Sequence, residues 1–379
     1  MTFGSPSTAV FDPTRLVVQS ISCGKPIIYV SFNYRLNIFA FGDGKGEVNL
    51  ALQDQRLAIK WVSDHISEFG GDPNNITLAG ESAGAVYTHA HILTRAPVNR
   101  AILVSGSLYL SPPLPQAIGA GLVQRLEKAV QEEEKRSLRH ASASSLVKAL
   151  TTCGINSMWL QDEPSFHGWQ EKFETVKSLM IGDVEYESVL WRNGIETMSA
   201  DEIADCFAAA GEYAPNLSRL YHINRSRPTQ CKYGALDFIN DSRFALPVDS
   251  IAKRWVREKK PVHQFVFDES NPWQSSSRAH HANDLSILFG GIDISHNRGA
   301  EQVGHHLRES WIVFANGESP WPAGKIYAFG PHGLCIGLSD DEYSLRRRTM
   351  CFEYLREMGL APANAVVGRL AAGRISLLN

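Results

Sequence analysis

Apolar and polar positions along this chain follow two rhythms, one of strands and one of helices. Ile27-Ile28-Tyr29-Val30-Ser31-Phe32, just after Pro26, is a β-branched and aromatic run that predicts a buried strand. In Leu50 to Phe69, apolar Leu52, Ile59, Val62, Ile66 and Phe69 recur at helical spacings, and Gly70-Gly71 stops the pattern. Ile76 to Ala79 reads as the next strand, Gly84 to Ile92 as the next helix, and Ala101 to Val104 as another short strand. Strand, helix, strand, helix, strand in that order predicts an α/β architecture, a parallel sheet with crossover helices.

The middle of the chain changes character. From about Pro115 to Phe173 it is rich in helix formers and polar residues without clear strands, so a helical cap insertion over roughly 115–175 is expected above the sheet. Leu179 to Asp183 returns to strand character. Helices are expected near Ala200–Ala209, Val248–Lys259 and Gly299–Ala315, and strands at Val262–Phe267 and Lys325–Phe329. A single long helix from Asp340 to Met358 is expected to close the chain. With no internal repeat or low-complexity segment, residues 1–379 read as one domain.

Composition narrows the class. A chain 44% hydrophobic and 20% charged has the balance of a globular protein with a large core. Net charge is −3 and no basic stripe occurs, so nucleic acid is not an expected partner. No apolar run reaches membrane-spanning length, and the first residues lack the charged and apolar regions of a secretory signal. The six cysteines are scattered without paired spacing, which gives neither a metal site nor a disulfide framework. The expectation is a cytoplasmic protein with reduced thiols, or a secreted one if the natural N-terminus lies further upstream. Oligomeric state stays open.

Candidate chemistry centres on Gly80-Glu81-Ser82-Ala83-Gly84. An apolar strand runs into this Gly-x-Ser-x-Gly turn and a small-residue helix follows. A nucleophilic serine needs that setting: a sharp turn at the carboxyl end of a central strand, with the hydroxyl pointing out of the sheet. Gly80 and Gly84 are expected to keep side chains away from the turn. A serine hydroxyl also needs a histidine to take its proton and a carboxylate to orient that histidine. Both should follow Ser82 at the ends of later strands, in the order serine, acid, histidine. Strand alternation puts Asp183, Glu185 and Glu187 on one face, so periodicity does not choose among them.

Several further runs occur in a set order: Val30-Ser31-Phe32-Asn33-Tyr34-Arg35-Leu36, Leu50-Ala51-Leu52-Gln53-Asp54-Gln55-Arg56, Phe69-Gly70-Gly71-Asp72-Pro73, the Ser82 turn, Ser105-Gly106-Ser107, and Trp311 to Gly317 with Pro320-Trp321-Pro322. Together they resemble the type B carboxylesterases, the cholinesterase–lipase group of α/β-hydrolases, in a fungal-like branch. The resemblance implies an α/β-hydrolase fold and hydrolysis of a small-molecule carboxylic ester through an acyl-enzyme, with no metal or organic cofactor. It places the acid five residues after a strand-end glycine, hence Glu187 after Gly182, although Ser188 stands where the family often has glycine. It places the histidine nine residues before the glycine of a Phe-Gly pair, hence His281 before Phe289-Gly290, with His280 as the alternative. It implies an acyl-pocket position for Glu81, whose bland reading is a buried partner for an unidentified arginine or water, and a structural ion pair between Arg35 and Asp54.

Acyl transfer also needs an oxyanion hole. One donor is the amide of Ala83; the others come in this family from a glycine-rich loop preceding a Phe-x-x-Gly-Ser-like segment. The chain starts at Met1-Thr2-Phe3-Gly4-Ser5. The expectation is therefore that this loop and the strands before it are missing. Two readings compete with ester hydrolysis: an impaired or non-catalytic binding member, and a variant in which an alcohol or amine intercepts the acyl group, giving acyl transfer or lactone formation.

Overall fold

The computed structural model describes residues 5, 7–43, 46–155 and 158–376. The opening segment Met1 to Gly4 used above lies outside them. Six strands form one sheet in sequence order: β1 (Thr77–Glu81), β2 (Arg100–Val104), β3 (Ser178–Val184), β4 (Val262–Phe267), β5 (Ile326–Phe329) and β6 (Cys335–Leu338). The first five run parallel and β6 returns antiparallel against β5. Every β4 residue is buried, including His263 and Gln264, as expected where helices cover both faces of a parallel sheet.

The helices named here, with others left unlabelled, are α1 (Thr14–Ser22), α2 (Leu50–His65), α3 (Ala83–Leu93), α4 (Gln116–Glu134), α5 (Ala143–Thr152), α6 (Ala200–Phe207), α7 (Pro228–Asn240), α8 (Leu246–Arg257), α9 (Asn283–Phe289), α10 (Arg298–Ala315), α11 (Asp340–Arg346), α12 (Thr349–Met358) and α13 (Leu360–Ala371). Local chemistry sets several ends. Gly70 at φ 82° ends the turn that follows α2, Ser142 accepts the Ser145 amide at the start of α5, and Ser199 with Glu202 forms a capping box on α6. Two apolar layers enclose the sheet. Met180, Val184, Phe265 and Phe267 pack with Leu307, Ile312 and Phe314 of α10. On the opposite face Leu103, Leu179 and Ile181 pack with Ile251 and Trp255 of α8. No helix among the described residues is long and apolar enough to cross a membrane.

Three expectations need correction. Residues 27–32 form no strand and join no ladder, and exposure alternates from Ile27 to Val30 rather than staying buried. Strand propensity describes a fit to a pleated surface; the ladder also requires a partner. The long closing helix is broken at Arg347, which adopts φ −130° and ψ 145° between α11 and α12. Leaving the helix lets Arg347 reach inward, where Nε donates to Asp183 (2.6 Å) and Nη1 to Asp268 (2.9 Å). The chain also does not close at Met358, because Gly359 at φ 78° turns it into α13. Arg35 and Asp54 do pair through two bonds of 2.8 and 2.7 Å, but on the surface.

Candidate active site

Ser82 sits between β1 and α3 at φ 53° and ψ −118°, a conformation L-residues adopt only at a cost. Its amide donates to Val104 O at the end of β2 (2.9 Å). Gly80 is needed sterically, since a Cβ there would lie 2.2 Å from Gly84 O. Gly84 is different: a Cβ on it would meet nothing within 4 Å, so crowding does not explain that glycine. Gly106, in the loop after β2, faces the turn closely; a Cβ there would lie 2.6 Å from Ser82 O. Ala83 is the first residue of α3, where no intrahelical bond uses the amide.

The three rival acids part company because β3 ends at Val184. Beyond it the alternation argument no longer applies. Asp183 turns to Arg347, and Glu185 pairs with the half-exposed Arg278. Glu187 begins a short helical turn and is fully buried. Its Oε1 accepts the Val184 amide (2.9 Å), and its own amide donates to Asn240 Oδ1 (2.8 Å) at the end of α7.

A short extended pairing delivers the histidine. Tyr186 N donates to Ala279 O, and His281 N donates to Tyr186 O. His281 Nδ1 then lies 2.5 Å from Glu187 Oε2, and Nε2 lies 2.8 Å from Ser82 Oγ. An ionised carboxylate only accepts, so Nδ1 carries hydrogen and donates to Glu187. In the neutral ring, Nε2 accepts from the Ser82 hydroxyl. The neighbouring His280 points elsewhere, its Nε2 meeting the Asn271 side-chain amide at 2.8 Å. Phe244 packs edge-on against the His281 ring, with centroids 5.7 Å apart.

Three carboxyl groups surround this imidazole. Glu81 Oε1 lies 3.2 Å from Nε2, yet it makes no well-aligned hydrogen bond there or elsewhere among the described residues. No arginine meets it among the described residues. Burial opposes a charged His281, but Glu81, Glu187 and Asp284 outweigh it and raise the ring to about 9. Burial pushes Glu81 up to about 7, an effect that His281 reduces and Glu187 reinforces. Burial likewise raises Asp284 well above the carboxylate range. Separately, His305, His306 and Glu309 on the outer surface of α10 bring three metal-ligating atoms within 4.8 Å of one another.

Ser82 thus sits on a strained strand-to-helix turn, bonded to a buried histidine–glutamate pair above a parallel sheet. The carboxylesterase family model matches residues 1–329. The chain belongs to the carboxylesterase family. Lipase 3 of Yarrowia lipolytica is 28% identical over 332 residues, covering 84% of this chain and 66% of that lipase. Para-nitrobenzyl esterase of Bacillus subtilis is 28% identical over 363 residues, covering 84% of this chain and 70% of the esterase. An inactive carboxylesterase-like protein, VdtD of Byssochlamys spectabilis, is 50% identical over 111 residues, 27% of this chain and 19% of its own. This carboxylesterase-family chain thus spans 66% of the length of the Yarrowia lipase it matches.

Sequence reasoning missed the second rank of the site. Asn240, Phe244 and Arg347 were unassigned. Only a contact across more than 50 residues of sequence gives Asn240 its place under Glu187.

Proposed function

We propose that the protein hydrolyses carboxylic esters through a covalent acyl-enzyme. Ser82 Oγ attacks the ester carbonyl while His281 Nε2 takes its proton. The imidazolium then hands that proton to the departing alcohol oxygen. Water enters by the same route, its proton going to His281, and releases the acid with Ser82 restored. Glu187 fixes the ring and stabilises its charged form, and the Ala83 amide at the head of α3 donates to the developing oxyanion. The unbroken line of hydrogen bonds from Ser82 through His281 to Glu187 supports this reading most directly. The names of the lipase and esterase relatives point the same way. Hydrolysis of a short-chain aryl ester by the wild type, lost by ~10⁴-fold or more in Ser82→Ala, is the expected result. Equal turnover by both would end the proposal.

A second reading is a member that binds without turnover. The 50% identity to a protein named inactive favours it over that stretch. Tight binding of a phenylboronic acid with no ester turnover would select it.

A further inference from the structure

Three arginines are buried among the described residues, and two are readily explained. Arg347 lies between Asp183 and Asp268. Arg308 donates to Gln19 and to the carbonyls of Ile287 and Leu288 in the last turn of α9, where the helix dipole favours a cation. Arg243, nine-tenths buried, has no such explanation. Its Nη1 donates to Tyr109 O (3.0 Å) and to Asn364 Oδ1 on α13 (2.7 Å), both neutral acceptors. Among the described residues no carboxylate pairs with it, and its Nε and Nη2 make no hydrogen bond. Burial lowers its pKa to about 10, with no opposing charge to offset the effect. A neutral amide could make both existing bonds, so a buried guanidinium here is a cost without a structural return.

The position of Arg243 supplies a use. It lies in a π-helical turn, Asp241–Ala245, between α7 and α8, and such turns often mark functional sites. One residue earlier, the buried Ser242 hydroxyl also lacks a partner. One residue later, Phe244 packs on the His281 ring. Three residues earlier, Asn240 holds the Glu187 amide. Tyr109, which accepts from Arg243, lies in the loop after β2 whose Gly106 lies against Ser82. Arg243 therefore ties together the two walls that carry the nucleophile and its base. The edge it leaves unused, Nε with Nη2, is the one with which Arg35, Arg278 and Arg348 of this chain grip Asp54, Glu185 and Asp241.

We propose that Arg243 is a specificity-determining residue whose free Nε–Nη2 edge binds a carboxylate on the substrate, so that the preferred esters carry a free carboxylate in the acyl or alcohol part. This rests on the ester-hydrolase reading for its consequence in turnover, but not for the binding itself. The test compares kcat/KM for mono-p-nitrophenyl glutarate and for uncharged p-nitrophenyl butyrate. It uses wild type, Arg243→Met and Arg243→Lys, with isothermal titration of free glutarate alongside. The charged-to-neutral ratio should fall by roughly 10–100-fold in the methionine variant, the worth of a hydrogen bond to a charged group. It should fall also in the lysine variant, which keeps the charge but cannot offer a two-N–H edge. Glutarate binding should weaken at least tenfold in step. Because a ratio cancels general damage to the site, a ratio unchanged in a folded variant overturns the proposal. If neither ester turns over, the hydrolase reading fails and titration alone decides: wild-type binding lost in the variants upholds the carboxylate site, and no wild-type binding refutes it.

Discussion

Ser82 Oγ and Glu81 Oε1 both approach Nε2 of His281, at 2.8 and 3.2 Å, and one ring nitrogen cannot serve both in the same protonation state. A neutral ring accepts from the serine; a protonated ring has a hydrogen that the Glu81 carboxylate attracts. A general base must be neutral, so activity should rise as His281 loses its proton. Because neighbouring carboxylates raise the ring above its ordinary 6.5, the acid limb of kcat/KM should lie above pH 6.5. Glu81→Gln removes the strongest of those influences, so the limb should move to lower pH by roughly one unit. A limb that stays in place, or moves upward, would show that Glu81 does not set the charge of His281. Burial is the main reason that Glu81 and Asp284 are both pushed upward, and the neighbouring carboxylates add to it.

Glu187 owes its position to the end of a strand, and Arg347 to the end of a helix. The Ser82 turn was legible in sequence because strand, turn and helix are contiguous there. So were most of the parallel strands, whose apolar runs are short and bounded. Glu187 and His281 were reached only through spacing shared with a family; alternation left Asp183 and Glu185 as equals because it could not locate where β3 stops. The break at Arg347 was invisible, since nothing local disfavours helix there. The cause is the two buried acids 164 and 79 positions away in sequence, Asp183 and Asp268. Arg347→Met should leave Asp183 buried without a cation, while Asp268 keeps Arg346 (2.7 Å), and cost about 3–5 kcal/mol in urea unfolding; a loss below ~1 kcal/mol would mean the Asp183 pair is dispensable. Asn240→Ala should leave the buried Glu187 amide without an acceptor, costing about 1–3 kcal/mol and slowing turnover of a neutral ester. Stability lost with kcat unchanged would separate Asn240 from the acid loop.

The candidate residues gather at one edge of the sheet, past the carboxyl ends of β1, β3 and β4, as ligand sites do in parallel α/β proteins. The sheet beneath them is buried at its centre, through β4 and nearly all of β2 and β3, between apolar layers on both faces. Residues on the far surface should matter little. Arg35→Ala, which breaks the surface pair with Asp54, should cost under ~1 kcal/mol and leave the pH profile alone. A large loss there would show that the pair braces the chain beyond its own contact.

Treatment with a fluorophosphonate followed by peptide mapping tests the central claim most directly, because the reagent reports an activated serine without assuming any substrate. A single adduct on Ser82, formed at a rate that follows His281 deprotonation and abolished in His281→Ala, is the predicted result. No adduct on the folded protein, or an adduct on another serine, would contradict it.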